Sequence, residues 1–305
     1  MTLVQSRRGL QKKFVASLLI VGFLPGIVAL FATYRYSTHT LKNTIGDSFQ
    51  QLAASTARRI EVMIDDEIDG ARHLATALLA VRVSVDASNR SSRAGGAHAA
   101  RAQLLEHSAR WERFRTGKEP TLPGFIDRHT LRHIQNLLTI RPGAYHNVVV
   151  TDARGALIAG ANPDTPYVHG DALWWREAYA DGRGGLYVSD IYEQAPDVYL
   201  LDIAVPVLDQ AGTRAIGVVK FEVRRDSLMK AIMEIRVGER GHGMLLNTEG
   251  TPLICPVLPP EAHLINDPLM KQLMQAKPGW VVAEDDAHGG HQSIVASPRL
   301  PSRVS

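Results

Sequence analysis

The chain has one cysteine, Cys255, in 305 residues. No intramolecular disulfide can form, and no Cys-x-x-Cys zinc pattern exists; an oxidising compartment is allowed but not required. Within Leu253-Ile254-Cys255-Pro256 the thiol reads as a small buried hydrophobe. There is no Gly-x-Ser-x-Gly elbow and no triad spacing, which removes the common route to a hydrolase. Gly238 to Gly243 precedes a strand and lacks the Lys-Ser/Thr pair of a phosphate loop. No phosphoacceptor or ATP-binding segment and no Gly-Gly-Asp-Glu-Phe occurs, so these residues hold no recognisable output domain and imply no cofactor. A large charge excess is also missing. The formal net charge is +3, and Arg7, Arg8, Lys12 and Lys13 alone supply +4, leaving the rest at −1. The basic pI belongs to the tail, and no nucleic-acid surface is implied.

What the tail leads into is informative. Residues 14–33, FVASLLIVGFLPGIVALFAT, carry no charge and match the roughly twenty apolar residues that cross a bilayer. The run exceeds a signal-peptide core of about 7 to 15 residues, and Leu30-Phe31-Ala32 is a poor cleavage site. An uncleaved transmembrane helix is therefore expected. Four basic residues precede it, which places the N-terminus in the cytoplasm and residues after 34 outside. Pro25, with Gly22 and Gly26, is expected to kink the helix.

Beyond the anchor, Leu41, Ile45, Phe49, Leu52, Ile60, Ile64, Ile68, Ala71, Leu74 and Leu78 recur at helical steps. They predict a long amphipathic helix continuing out of the bilayer. Ser88 to Ala97, SNRSSRAGGA, predicts a turn. Helices are expected near 99–116 and 128–138. His129 and His133 fall at i and i+4, a metal-capable spacing, but no Glu and no further ligand completes a site, and a solvated face is the simpler reading. His288 and His291 near Asp285 and Asp286 support weak surface affinity at most. No metal is expected.

A hairpin is predicted from 147–151 and 156–160 about Asp152-Ala153-Arg154-Gly155. Three apolar runs follow the paired Trp174 and Trp175, at 186–192, 198–207 and 215–223. Together they predict a five-stranded antiparallel sheet in PAS-like order, interrupted by a loop at 162–170 that would serve as lid or rim. In the second run Tyr199, Leu201, Ile203 and Val205 share one face and Asp202 lies on the other. A mid-strand carboxylate needs a partner, and both a solvent-edge and a pocket reading are open for it.

The order of these features resembles the extracytoplasmic Cache sensor family: a Trp-rich helix, the Tyr187-Val188-Ser189 strand, the Ile203-Ala204-Val205-Pro206-Val207 strand, and the Gly217-Val218-Val219 strand before a helix. Arg236 to Gly250 resembles the opening of that family's second module. The resemblance spans about residues 36–297 and implies an α+β double Cache: a transmembrane helix running into a long helix, then two PAS-like antiparallel-sheet modules, the second incomplete. Residues 1–13 would be cytoplasmic tail, 34–139 stalk and linker, 140–235 the membrane-distal module and 236–305 a truncated membrane-proximal one. Strands of the second module are expected at 243–247, 252–254, 280–283 and 291–296, with a helix at 269–275.

The family's amino-acid binders carry an Arg-x-Trp-Tyr turn and an Asp on the Gly-Val-Val strand. Here Trp174 and Trp175 match the aromatic pair, Glu222 stands for the Asp and Ala172 for the Arg. Missing that arginine, the chain departs from ordinary carboxylate recognition. Two schemes stay open: Asp171 and Glu222 holding an amine beside a Trp face, or Arg176 and Lys220 recruiting a carboxylate. Tyr167, Tyr187, Ser189, Tyr192, Tyr199 and Asp202 complete the candidate ligand-binding set, although core packing accounts for any single tyrosine. The implied protein is the sensory half of a bacterial inner-membrane receptor, first of all a two-component histidine kinase. It would bind a small polar metabolite and pair as a homodimer through the long helix. A chemoreceptor, a diguanylate cyclase and a membrane-anchored hydrolase are the alternatives.

Overall fold

The computed structural model describes residues 4–77, 79–195, 198–224, 226–238, 241–247, 249–257, 265, 267–275, 279–283 and 293–298. The chain forms two compact units. One spans Thr56–Leu264, and the other joins Met1–Ser55 to Ile265–Arg299.

Helix α1, Val4–Ala77, is continuous over 74 residues and passes through Pro25. Large apolar side chains in its first part, such as Phe14, Leu18, Val21, Phe23 and Leu30, are all more than 60% exposed. The later part uses its apolar stripe as the periodicity predicts: Ala57, Ile60, Ile68, Ala71 and Leu74 are buried, whereas Leu41 and Leu52 are not. Helices α2 (Leu79–Ala94), α3 (Gly96–Arg115) and α4 (Arg128–Ile140) follow. The turn expected over 88–97 is instead the end of α2, and only Gly95 and Gly96 break the path. Burial overrides the polar composition there. Asn89 and Ser92 are buried, and Asn89 donates Nδ2–H to the Ile216 carbonyl at 2.7 Å and accepts from the Ala153 amide at 3.0 Å. The α4 N-terminus is capped by Asp127, which accepts from the Thr130 amide.

Strands β1 (Tyr145–Asp152) and β2 (Leu157–Gly160) make the predicted hairpin. After α5 (Leu173–Tyr179) come β3 (Tyr187–Val188), β4 (Tyr192–Ala195), β5 (Val198–Leu208) and β6 (Ala215–Arg224). The antiparallel sheet has six strands rather than five, in the order β2-β1-β6-β5-β3 with β4 also on β5. The extra strand arises because the run at 186–192 breaks into two short pieces, β3 pairing with the middle of β5 and β4 with its start. Tyr187 faces Ala204 and Tyr192 faces Leu200.

The sheet is covered on both faces. On one, Leu201, Ile203, Val205, Val219, Phe221 and Val223 pack with Ile60, Ile68 and Leu74 of α1, Val85 of α2 and Ile134 of α4. On the other, Val149, Ala204 and Val218 pack under Trp174, Trp175, Tyr167 and Trp111. Each buried indole contributes on the order of 4 kcal/mol at about 25 cal/mol per Å².

The segment expected as a lid is tied down. Leu157 donates to the Tyr167 carbonyl at 2.8 Å, His169 donates to that of Gly155 at 2.8 Å, and Trp111 Nε1 donates to that of Thr165 at 2.7 Å. Gly155 has φ +74° at the point where Gly170 crosses it, and a Cβ there would collide with the Gly170 backbone.

Helix α6 is Asp226–Met233. Among the described residues the later strands form two-stranded antiparallel pairs: β7 (Arg236–Val237) with β8 (Gly241–His242), β9 (Leu245–Leu246) with β10 (Pro252–Ile254), and β11 (Gly279–Ala283) with β12 (Ser293–Ser297). Helix α7, Asp267–Gln275, covers the expected one. Ile254 joins the core of the larger unit. In the smaller unit Trp280 lies over Gly46 of α1 and donates Nε1–H to Asp47 at 3.0 Å. The cluster of His288, His291, Asp285 and Asp286 lies outside the described residues.

Candidate ligand site on the sheet

Strand alternation sends Asp202 of β5, and Lys220 and Glu222 of β6, to the face beneath Trp174. Register then sets Asp202 directly opposite Glu222 and Lys220 opposite Ala204. Like charges across an antiparallel pair repel. Lys220, two residues before Glu222 on the same face, relieves both: its Nζ lies 3.2 Å from Asp202 Oδ2 and 2.7 Å from Glu222 Oε1. Their side chains are 9% (Lys220), 9% (Asp202) and 15% (Glu222) exposed. Lys220 Nζ also sits 4.9 Å from the centre of the Trp174 ring, a cation–π distance.

Asp202 is the hub. Tyr192 donates its hydroxyl to Oδ1 at 2.9 Å, the Asp202 amide donates to Ser189 Oγ at 2.8 Å, and the Ser189 amide donates to the Asp202 carbonyl at 2.9 Å. Burial pushes the Asp202 carboxyl above its ordinary range, while Lys220 and the Tyr192 hydrogen bond pull it back. Burial and the neighbouring Asp202 raise the Tyr192 phenol strongly, and the same causes raise Tyr187. Of the two readings open for Asp202, the solvent-edge one does not hold.

His169, on the loop before α5, is 8% exposed and lies 5.2 Å from Trp174, ring centre to ring centre. Its Nε2 is buried without a partner. Burial, and then Lys220, hold the imidazole down to about 4.

The remaining candidates separate from this cluster. Trp175 spends its Nε1–H on Thr151 Oγ1 at 3.0 Å and stacks on Tyr179 at 4.6 Å. Tyr167 turns to α3, its hydroxyl 3.1 Å from His107 Nδ1 and its ring edge-on to Phe125. Asp171 and Arg176 are exposed. Tyr199 lies an odd number of positions from Asp202, on the opposite face of β5. Trp174, Tyr187, Ser189, Tyr192, Asp202 and Glu222 are thus the candidates that the fold brings together, and Lys220 and His169 join them. The sequence offers Lys220, with Arg176, as a partner for a ligand carboxylate, and here it pairs with Asp202 and Glu222. His169 sits in a loop without periodicity and left no signal.

Elsewhere, His129 and His133 face each other on α4 with Nε2 atoms 3.3 Å apart. Among the described residues no group of three or more His, Cys, Asp or Glu side chains converges to hold a metal ion.

Comparison with solved structures finds the same fold at low identity. The ligand-binding domain of the Pseudomonas aeruginosa PAO1 amino acid chemoreceptor PctC, in complex with GABA, matches with a TM-score of 0.52 at 15% identity, over 84% of this chain and 92% of that one. The extracellular domain of mmHK1S-Z2, classed as a histidine kinase, matches with a TM-score of 0.50 at 13% identity, over 81% and 89%. No curated protein matches. The Cache domain profile of the double Cache type matches residues 37–302. With that span covering most of the chain, and an antiparallel sheet module following a long N-terminal helix, the chain belongs to the Cache domain family.

Proposed function

We infer that the chain is the signal-input region of a membrane receptor, binding a small polar molecule on the sheet face beneath Trp174. One observation carries this reading: a charged, hydrogen-bonded cluster of Asp202, Lys220 and Glu222, with Tyr192, is enclosed within an otherwise apolar layer. Small-molecule sites have this composition, a few placed polar groups in an apolar wall. The domain that resembles this one in PctC holds GABA, a ligand of the expected size and polarity.

The apolar run at 14–33 supports membrane anchoring, because α1 leaves those side chains without a protein partner. The basic residues before it favour a cytoplasmic N-terminus. Exposed Leu41, Leu52 and Val62 give α1 a surface for a second copy. A histidine kinase is the first reading of the receptor type, on the basic flank and long helix; a chemoreceptor or a diguanylate cyclase shares that input design. A hydrolase gains nothing from the site. The Ser189 hydroxyl donates to the Asp190 carbonyl rather than to a base, as a nucleophile pair requires.

The test is equilibrium binding of a panel of small polar metabolites to the full chain in lipid nanodiscs. Saturable binding at one site per chain is expected, and a panel without any saturable binder overturns the reading.

A further inference from the structure

Where the end of α2 and the start of α3 meet the β1–β2 turn, the larger unit holds a cavity of about 280 Å³ that shares no residue with the cluster beneath Trp174. Two arginines line it, Arg93 from α2 and Arg154 from the turn, and no carboxylate does. Gly96, Ala97, Ala100 and Ala153 form an apolar wall whose short side chains leave the space open. Arg154 is under-used. Its Nη1 donates to the Ala100 carbonyl at 2.9 Å, Nη2 lies 3.5 Å from Asp152 Oδ2, and Nε is buried without a partner. A guanidinium has five N–H groups, so three of them lack an acceptor among the described residues. Asp152 is satisfied without it: Oδ1 accepts from the Arg154 and Ala156 amides at 2.8 and 2.9 Å, and Oδ2 from the Ser88 hydroxyl at 3.0 Å. At 3.5 Å its contact with Nη2 is at the outer limit of a hydrogen bond. Arg93 is exposed and has no ion-pair partner among the described residues. Two arginines and one aspartate leave a single positive charge unbalanced, beside a guanidinium nitrogen that is cut off from water.

We propose that this cavity is a second binding site, for a small organic monocarboxylate. The carboxylate takes the spare N–H groups of Arg154 and Arg93, whose planar forks match its two oxygens, and a short hydrocarbon body lies against the alanine wall. A monoanion balances the charge, whereas a dianion overshoots it. Inorganic phosphate leaves the apolar wall bare, an alcohol brings no charge, and an ammonium ion meets two like charges. The bound anion bridges the end of α2 to the turn, a junction that Asn89 already makes by accepting from the Ala153 amide. The assignment does not rest on the face beneath Trp174 being a ligand site.

Isothermal titration of the full chain in lipid nanodiscs with butyrate, 1-butanol, n-butylamine, succinate and phosphate separates these classes. Butyrate is expected to bind about tenfold more tightly than 1-butanol or n-butylamine, the worth of one charge-assisted hydrogen bond, and more tightly than succinate or phosphate. Arg93→Gln should weaken butyrate by about three- to tenfold. Ala97→Leu fills the cavity without changing charge and should weaken it at least as much, while Lys220→Met, on the other site, should leave it unchanged. Arg93 and Ala97 are both exposed helix positions, and Leu and Gln are good helix formers, so neither cavity variant should disturb the fold. No saturable heat up to about 10 mM butyrate, or binding that survives both cavity variants undiminished, overturns the site. Butyrate binding that Lys220→Met abolishes places the ligand on the sheet face and also overturns it. Tighter binding of succinate or phosphate, weakened by Arg93→Gln, overturns the monocarboxylate assignment.

Discussion

Asp202 owes its position to parity: one residue earlier or later on β5 it would enter the helix-covered core among Leu201 and Ile203. His169 gives the residue scale its clearest prediction. Its folded imidazole is held at about 4 against an ordinary 6.5, so between those values the unfolded chain binds a proton that the native chain does not. Stability is therefore full above about pH 6.5 and falls as the pH drops toward 4. Asp202 acts with opposite sign, since its raised carboxyl takes up a proton in the native state first as the pH falls. Urea unfolding at pH 7 and pH 5 should show His169→Asn losing less stability over that interval than the natural chain; equal losses would mean that the ring is not held neutral. At this scale the acid in mid-strand, the Trp pair and Glu222 were legible in the sequence. The link from Asp202 through Lys220 to Glu222 was not, because it depends on which residues face each other across β5 and β6, and cross-strand register is a tertiary quantity.

At the scale of elements, a polar contact adds to the apolar packing of α1 against the sheet. Glu67 of α1 accepts from Arg141 Nη2 at 2.5 Å and Nη1 at 3.0 Å, and from the Tyr145 hydroxyl at 2.7 Å. Arg141 lies just past α4, and Tyr145 opens β1, whose Asn147 faces Glu222. The ion pair therefore ties the long helix to the strand bordering the candidate site. Burial, with Glu67 next, pushes the Tyr145 phenol up, while Arg141 draws it down. Glu67→Gln is expected to cost about 1–3 kcal/mol, reduced from a fully buried pair because the Arg141 side chain is 43% exposed. A double-mutant cycle with Arg141→Met should return about 1 kcal/mol of coupling; additivity would show that the contact does not hold the helix. Helical periodicity announced α1 and α4 because each buries a regular stripe. It missed the end of α2, where the buried Asn89 is satisfied by the Ile216 carbonyl of β6 and the Ala153 amide, partners distant in sequence that no local pattern reveals, and the buried Ser92 donates to the Ser88 carbonyl of its own helix.

For the whole molecule, fold class and family were readable because strand runs, turn residues and the Trp-headed helix come in a fixed order. That Ile254 joins the core of the larger unit was not, because the contact is made through packing and no composition shift marks it. The central claim is that the face beneath Trp174 receives the ligand. Its most direct test uses the intrinsic fluorescence of the full chain, which has four tryptophans at positions 111, 174, 175 and 280. Titration with a saturable binder from the metabolite panel should give a change that persists in Trp280→Phe and disappears in Trp174→Phe. A change that survives Trp174→Phe undiminished would contradict the account.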